Sequence, residues 1–174
     1  IEDSTSNHRG ALYAEINLNK QTHVVGCTHP TANLSIDYPA SGKHGSWEGE
    51  NRFMQKEMIA FANAKAGDNP IYFGGDFNCS IASEANGVDG EFADNCQLWL
   101  DDGFVDPVAE QLPCTFCYEE NLLLKPEGGV GGSLLDHVFV KNLEATTAIT
   151  AERVFDRPVA IESVDPVSEL QPED

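Results

Sequence analysis

Asp76 and Asn78 stand two residues apart in "YFGGDFNCS", straight after an apolar, strand-like run and a pair of glycines. Gly, Asp and Asn are what tight turns select, so turn geometry alone accounts for one reading of the stretch. In the other reading, the turn lifts an acid and an amide over the end of a buried strand. Two more strand-like runs reach polar groups: "VVGCTH" ends at His29, and "GGSLLDHVFV" carries Asp136 among apolar residues. Open α/β sheets bind ligands beyond the carboxyl ends of their strands, where such side chains converge. A buried carboxylate is costly unless it is hydrogen-bonded. Asp136 is therefore expected to meet a partner such as the Asn78 amide or His29. Singly, His29 reads equally well as a loop histidine before Pro30, and Asp136 as a residue bonded to nearby backbone. The recurrence of polar groups at three strand ends favours one shared cleft.

The elements that must position these groups follow from periodicity. "ALYAEINL" alternates and reads as a strand with one wet face, and "THVVGCT" as a second strand joined to it by "NKQ" in a hairpin. "HPTANLSIDYPASGKHGSWEGE" is a long loop of turn formers. "ENRFMQKEMIAFANAKAG" is the clearest helix, with Met54, Met58 and Phe61 on one stripe, Ala62 beside it and Gly67 ending it. "NPIYFGG" then forms a buried strand, completing a strand–helix–strand unit and hence a parallel pair. "FADNCQLWLDDGF" reads as a short helix with Cys96 and Trp99 inward. "SLLDHVFVK" and "ATTAITAERVFD" are the last strands, preceded by the flexible loop "PEGGVGG". The order is mixed α/β without a repeat or domain boundary.

Composition narrows the class. A chain of 174 residues is one domain in size. With 10 Lys+Arg against 29 Asp+Glu, its formal net charge is −19, which disfavours tight non-specific nucleic-acid binding. The acids culminate in "IESVDPVSELQPED", so residues 162–174 are expected to be a flexible tail. Of the 5 cysteines, the "CTFC" pair has zinc or redox spacing but no second pair and no nearby histidine. A local Cys114–Cys117 disulfide, or a pairing with Cys96, fits a secreted or extracellular protein better, with buried free thiols as the alternative. "NLS" at Asn33 and "NCS" at Asn78 are formal glycosylation sequons. There is no transmembrane run and no signal peptide, and the first residue is Ile1, so an upstream piece is expected to have been removed.

"THP", "GGDFN" and "LLDHVFV", in this order, resemble the endonuclease/exonuclease/phosphatase superfamily with the deoxyribonuclease I-like fold. "RGALYAEI" and "ENRFMQKEM" resemble its usual surroundings, and the likeness runs from about Arg9 to Phe155. It implies Mg²⁺-dependent (or other divalent cation-dependent) hydrolysis of a phosphoester. In that pattern His29 bonds the scissile phosphate, Asp76 positions or activates the water, Asn78 holds a phosphate oxygen and Asp136 orients the site from behind. Phosphoryl transfer needs charge stabilisation and alignment more than a covalent intermediate. The family's principal metal ligand, a glutamate, and its "SDH" general base are not matched here. His8, His23, His44 and His137 all lack that context. The resemblance thus implies that residues 1–174 are the C-terminal part of a longer domain, half of a four-layer α/β sandwich with a mixed sheet flanked by helices. A missing N-terminal half is the expected partner. "LLDHVFV" is closer to the secreted sphingomyelinase type than to deoxyribonucleases, which favours a lipid or small-molecule phosphoester. A nuclease, or a binding protein that kept the fold, are the alternatives.

Overall fold

The computed structural model describes residues 9–84, 87–111, 114–117, 132–144 and 147–151. Strands β1 (Ala11–Leu18) and β2 (Gln21–Thr28) form the expected hairpin. Asn19 and Lys20 both take positive φ, 51° and 70°, which suits a two-residue turn matched to the twist of its strands. Helix α1 (Trp47–Ala66) leads to β3 (Ile71–Asp76), which lies parallel to β2. Helices α2 (Ala93–Asp101) and α3 (Pro107–Gln111) follow, then the short antiparallel pair β4 (Phe116–Cys117) and β5 (Gly132–Ser133). Finally β6 (Asp136–Lys141) returns antiparallel to β3, so the main sheet has the order β1-β2-β3-β6. This is the expected mixed α/β class.

One face of the sheet is covered by α1 and α2. Val24, Ile71, Phe73 and Phe139 point into this core and meet Met58, Ile59, Ala62 and Trp99. The Trp99 indole stacks on Phe139 at 4.9 Å and meets Phe77 edge-on at 5.3 Å, arrangements that suit aromatic quadrupoles. Cys96 and Trp99 face inward as α2's sequence implied.

The inward stripe of α1 differs from expectation. Ser46 caps the helix, its side chain accepting from the Gly49 N–H at 2.9 Å, and Gly67 ends it at φ 56°. Its buried residues, however, are Asn51, Gln55, Met58, Ile59, Ala62 and Ala66. Phe61 is 44% exposed, packing against Tyr13 at the sheet margin. Two polar side chains occupy the buried stripe near the helix start because the core there is made of loop backbone that needs hydrogen-bond donors. The expected wet face of β1 is also inverted: its apolar residues Leu12, Ile16 and Leu18 are exposed, and Tyr13 is the half-buried one.

Residues 147–151 of the expected strand 145–156 carry no strand pairing, and 145–146 and 152–156 lie outside the described residues. So do the acidic tail and all of "PEGGVGG" except Gly132. Cys114 pairs locally with Cys117, Cys96 pairs with Cys79, and Cys27 is free and exposed. Of the sequons, Asn33 is exposed whereas Asn78 is 5% exposed with its amide engaged, which removes it as an acceptor for a glycan. Among the described residues no helix is long and apolar enough to cross a membrane.

Candidate active site

Strand register assembles the site. The parallel β2–β3 ladder sets Thr28 opposite Gly75, so the next residue of each strand, His29 and Asp76, must emerge side by side. His29 Nε2 lies 3.3 Å from Asp76 Oδ2, with the two side chains 59% and 32% exposed, open to a ligand from solvent. The antiparallel β3–β6 ladder pairs Asp76 with Asp136 directly. Gly75 is what lets β2 come this close: φ is 146°, and a Cβ there would stand 2.1 Å from the Thr28 carbonyl oxygen. The preceding Gly74 has ordinary room for a side chain, with its nearest neighbours at 3.8 Å.

Both readings of the "GGDFN" turn hold at once. Asp76 Oδ1 accepts the Asn78 backbone N–H at 2.8 Å, a local carboxylate-capped turn, and Asn78 takes a left-handed φ of 48°. The Asn78 side chain donates from Nδ2 to the Pro30 carbonyl at 3.0 Å. That bond ties the β3 turn to the segment following His29. Arg9 donates to the same carbonyl at 2.9 Å. Asp136 departs from expectation, being exposed and not buried, and its backbone N–H donates to the Thr115 hydroxyl at 3.0 Å. The direct antiparallel pairing at the sheet's end accounts for this: it leaves the side chain beside Asp76 at the surface, with no strand beyond β6 among the described residues.

Beneath the turn lies a polar framework that sequence reasoning did not identify. Asn51 Nδ2 donates to the carbonyls of Thr31 (2.8 Å) and Phe77 (3.1 Å). Gln55 Nε2 donates to the Phe77 carbonyl at 3.0 Å, and its Oε1 accepts the Trp99 indole N–H at 2.7 Å. Asn95 donates to Asn51 Oδ1 at 2.9 Å and to the Glu48 carbonyl at 3.1 Å. All three amides are fully buried. They clamp the His29 and Asp76 loops onto α1. The signal available in the sequence was the i, i+4 spacing of Asn51 and Gln55, on a stripe shared with Met58, Ile59 and Ala62.

Electrostatically the site is short of cations. Burial raises the Asp76 carboxyl above its ordinary pKa and the Asp136 charge adds to this, while the Asn78 N–H, His29 and Arg9 oppose it. Glu91 is a further acid that no motif marked. Mutual backbone bonds with Ser80 hold it in place, and its pKa is raised by burial and by the Asp76 charge, against an Asn33 backbone N–H. A metal ion needs more than this geometry supplies. Among the described residues, the only three potential ligands within reach of one ion are Cys79, Cys96 and His137, and those two sulfurs are bonded to each other. Asp76 and Asp136 therefore do not close a cation site by themselves.

His137 follows Asp136 but faces the core. Its Nδ1 lies 2.6 Å from Asp106 Oδ2 and its Nε2 2.9 Å from the Cys79 carbonyl. Asp106 also caps α3 through its other oxygen, accepting the Val108 and Ala109 N–H groups. Burial would lower the pKa of this imidazole, but the Asp106 hydrogen bond and charge, with the Cys79 and Leu134 carbonyls, outweigh it and raise the pKa. His137 is a buried structural residue under the site, both of its ring nitrogens facing oxygen atoms.

No family model matches the sequence, and no curated protein matches it. Solved structures do. A β-hairpin deletion mutant of beta toxin from Staphylococcus aureus aligns over 95% of this chain and 55% of its own, at 19% identity and a TM-score of 0.59. SmcL aligns over 75% of this chain and 42% of its own, at 22% identity and a TM-score of 0.54. Sphingomyelinase C from Streptomyces griseocarneus aligns over 75% and 41%, at 19% identity and a TM-score of 0.53. The chain thus spans about half the length of the structures it matches. Over that half it shares the deoxyribonuclease I-like α/β fold of these structures, the fold that the resemblance implied.

Proposed function

We propose that this chain is the C-terminal part of a phosphoester hydrolase, a phosphodiesterase dependent on Mg²⁺ or another divalent cation, acting on a lipid or small-molecule phosphoester. The observation that supports it is the meeting of His29 and Asp76 at 3.3 Å at adjoining strand ends, with Asp136 directly across the next ladder. An exposed imidazole beside a carboxylate can carry a proton and present an N–H to a phosphate oxygen. Asp76, with its raised pKa, is placed to orient a water or take its proton. Asn78, almost buried, serves by holding the Pro30 segment, and so His29, against the turn. Asp136 steers Asp76 through its charge. The family pattern that the sequence resembles is the reason for placing the principal carboxylate ligand, and the general base, in the rest of the domain.

The charge of −19 favours a small-molecule or lipid substrate over nucleic acid. The two disulfides suit an oxidising, extracellular setting. The test is hydrolysis of bis(p-nitrophenyl) phosphate and sphingomyelin in millimolar Mg²⁺ by residues 1–174 and by the product of the whole reading frame. Activity is expected from the latter alone, with His29→Ala and Asp76→Ala each reducing it by about 10²-fold or more. Strong activity of residues 1–174 alone would show that the metal site is misplaced. Silence of the whole product would favour a binding protein, and preferential cleavage of DNA a nuclease.

A further inference from the structure

Three groups that ligate soft metals converge beneath the Asp76 turn, and none of them takes part in the proposed hydrolysis. Cys79 follows Asn78 at the end of the turn, Cys96 lies on α2 and His137 on β6, and one ligand atom from each stands within 4.8 Å of the others. All three residues are buried. The zinc-spaced pair in the sequence is "CTFC", which has no histidine beside it. The fold instead brings two cysteines of sequence separation 17 onto a histidine 41 residues beyond the second. Cys79 and Cys96 form a disulfide, yet the surroundings of the sulfurs match those of a thiolate metal site. Cys96 Sγ is 3.6 Å from His137 Nε2. Metal bonds of about 2.3 Å to sulfur and about 2.0 Å to nitrogen set such a pair about 3.5 Å apart in a tetrahedron. The other ring nitrogen, Nδ1, is held by Asp106 Oδ2 at 2.6 Å, a carboxylate–histidine pairing that directs Nε2 toward a metal. Gln55 Nε2 points at Cys79 Sγ from 4.0 Å, a contact that gains strength when the sulfur is a thiolate.

We propose that in the dithiol form of this protein Cys79, Cys96 and His137 bind one Zn²⁺, so that ion and disulfide are alternative closures of one link between the Asp76 turn, α2 and β6. Two thiolates and a neutral imidazole cancel the charge of the ion, so the core gains no unpaired charge. The Asp106 carboxylate stays bonded, through the Val108 and Ala109 N–H groups and the imidazole. An oxygen for the fourth position is at hand in the Cys79 carbonyl, 2.9 Å from Nε2. The two forms interconvert by thiol–disulfide exchange. Two equivalents of a thiol, or one of a dithiol, open the Cys79–Cys96 bond: two electrons and two protons pass to the pair, and the reductant becomes a disulfide. Zn²⁺ then displaces to solvent the two thiol protons and the Nε2 proton facing the Cys79 carbonyl. A disulfide oxidant reverses both steps. Cysteines stay reduced where a chain is made and pair where it is exported, so the metal form belongs to the chain before oxidation. The inference does not rest on the hydrolase reading.

The test uses the product of the whole reading frame, oxidised and reduced, the latter freed of reductant without oxygen. Co²⁺ is the spectroscopic probe, because thiolate ligation gives a near-ultraviolet charge-transfer band that carboxylate sites lack. The reduced protein is expected to show this band on titration, and Zn²⁺ to abolish it. The band should be lost in Cys79→Ser with Cys96→Ser and in the oxidised wild type, and kept in Cys114→Ser with Cys117→Ser. His137→Gln should weaken Co²⁺ binding by about 100-fold or more, and Asp106→Asn by about 10-fold. Zn²⁺ at about 100 times its dissociation constant should raise the melting temperature of the reduced wild type by about 5–10 °C more than that of the double serine variant. A measurement that needs no variant is alkylation followed by mass spectrometry: Zn²⁺ should slow modification of Cys79 and Cys96 in the reduced wild type and leave the exposed Cys27 unaffected. Absence of the band, its survival without Cys79 and Cys96, or its indifference to His137→Gln would overturn the inference. So would a reduced protein that Zn²⁺ neither stabilises nor protects. None of these readouts involves hydrolysis, so an inactive protein that binds Co²⁺ through these residues would remove only the hydrolase reading.

Discussion

Asn51 offers the sharpest test of how the site is held. Its side chain is fully buried and makes two donations, to the Thr31 and Phe77 carbonyls, while accepting from Asn95. In Asn51→Ala the Phe77 carbonyl keeps Gln55 at 3.0 Å, and Asn95 keeps the Glu48 carbonyl at 3.1 Å. The Thr31 carbonyl loses its Asn51 donor. An unsatisfied buried polar group costs about 1–3 kcal/mol, and the small void left by the amide adds to it, so a loss of about 3 kcal/mol is expected. For a chain of this size that is roughly 6–12 °C in melting temperature. Asn51→Asp keeps the shape but turns the donor into a carboxylate facing two carbonyl oxygens. It should destabilise more than alanine at pH 7, and the difference should shrink as the pH falls and the new carboxyl protonates. Urea unfolding of the three proteins at pH 7 and pH 5 measures this. A loss under 0.5 kcal/mol for Asn51→Ala, or an aspartate variant no worse than alanine at pH 7, would refute the clamp.

Three further outcomes are expected. Asp76→Asn should stabilise the fold at neutral pH and, on the proposed function, abolish hydrolysis by the product of the whole reading frame: the folded pKa is raised, so ionising Asp76 costs stability above the unfolded value of about 3.9, and the gain should vanish below that pH in thermal scans. His137 has the opposite dependence; its contribution is full below the unfolded pKa of about 6.5 and is lost as the pH rises through the raised folded value, so the stability gap between wild type and His137→Gln should narrow from pH 6 to pH 9. Removing the disulfide as Cys79→Ala with Cys96→Ala opens a loop of sequence separation 17 and should cost about 3 kcal/mol in urea unfolding, whereas a cost near zero would mean that the reduced protein holds the same contacts.

Local chemistry in the sequence was enough for the hairpin, α1, β3 and α2, because each carries its own periodicity and its own punctuation, from the Asn19–Lys20 turn to Gly67. It was enough also to nominate His29, Asp76, Asn78 and Asp136, since polar residues at the ends of apolar runs stand out in one dimension. What it could not supply was the neighbourhood of each. Asp136 sits among apolar letters yet is exposed, because an antiparallel pairing 60 residues apart sets it beside Asp76 at the sheet's end. His137, one residue on, points to the opposite face and becomes the buried partner of Asp106. Asn51 and Gln55 are polar residues on a helix, and the carbonyls of a turn more than 20 residues away make them interior. Glu91 carries no motif at all and feels the Asp76 charge only through the folded chain. Side-chain type and spacing are properties of the sequence; burial and electrostatic environment are sums over neighbours distant in the chain, and these the tertiary structure alone decides.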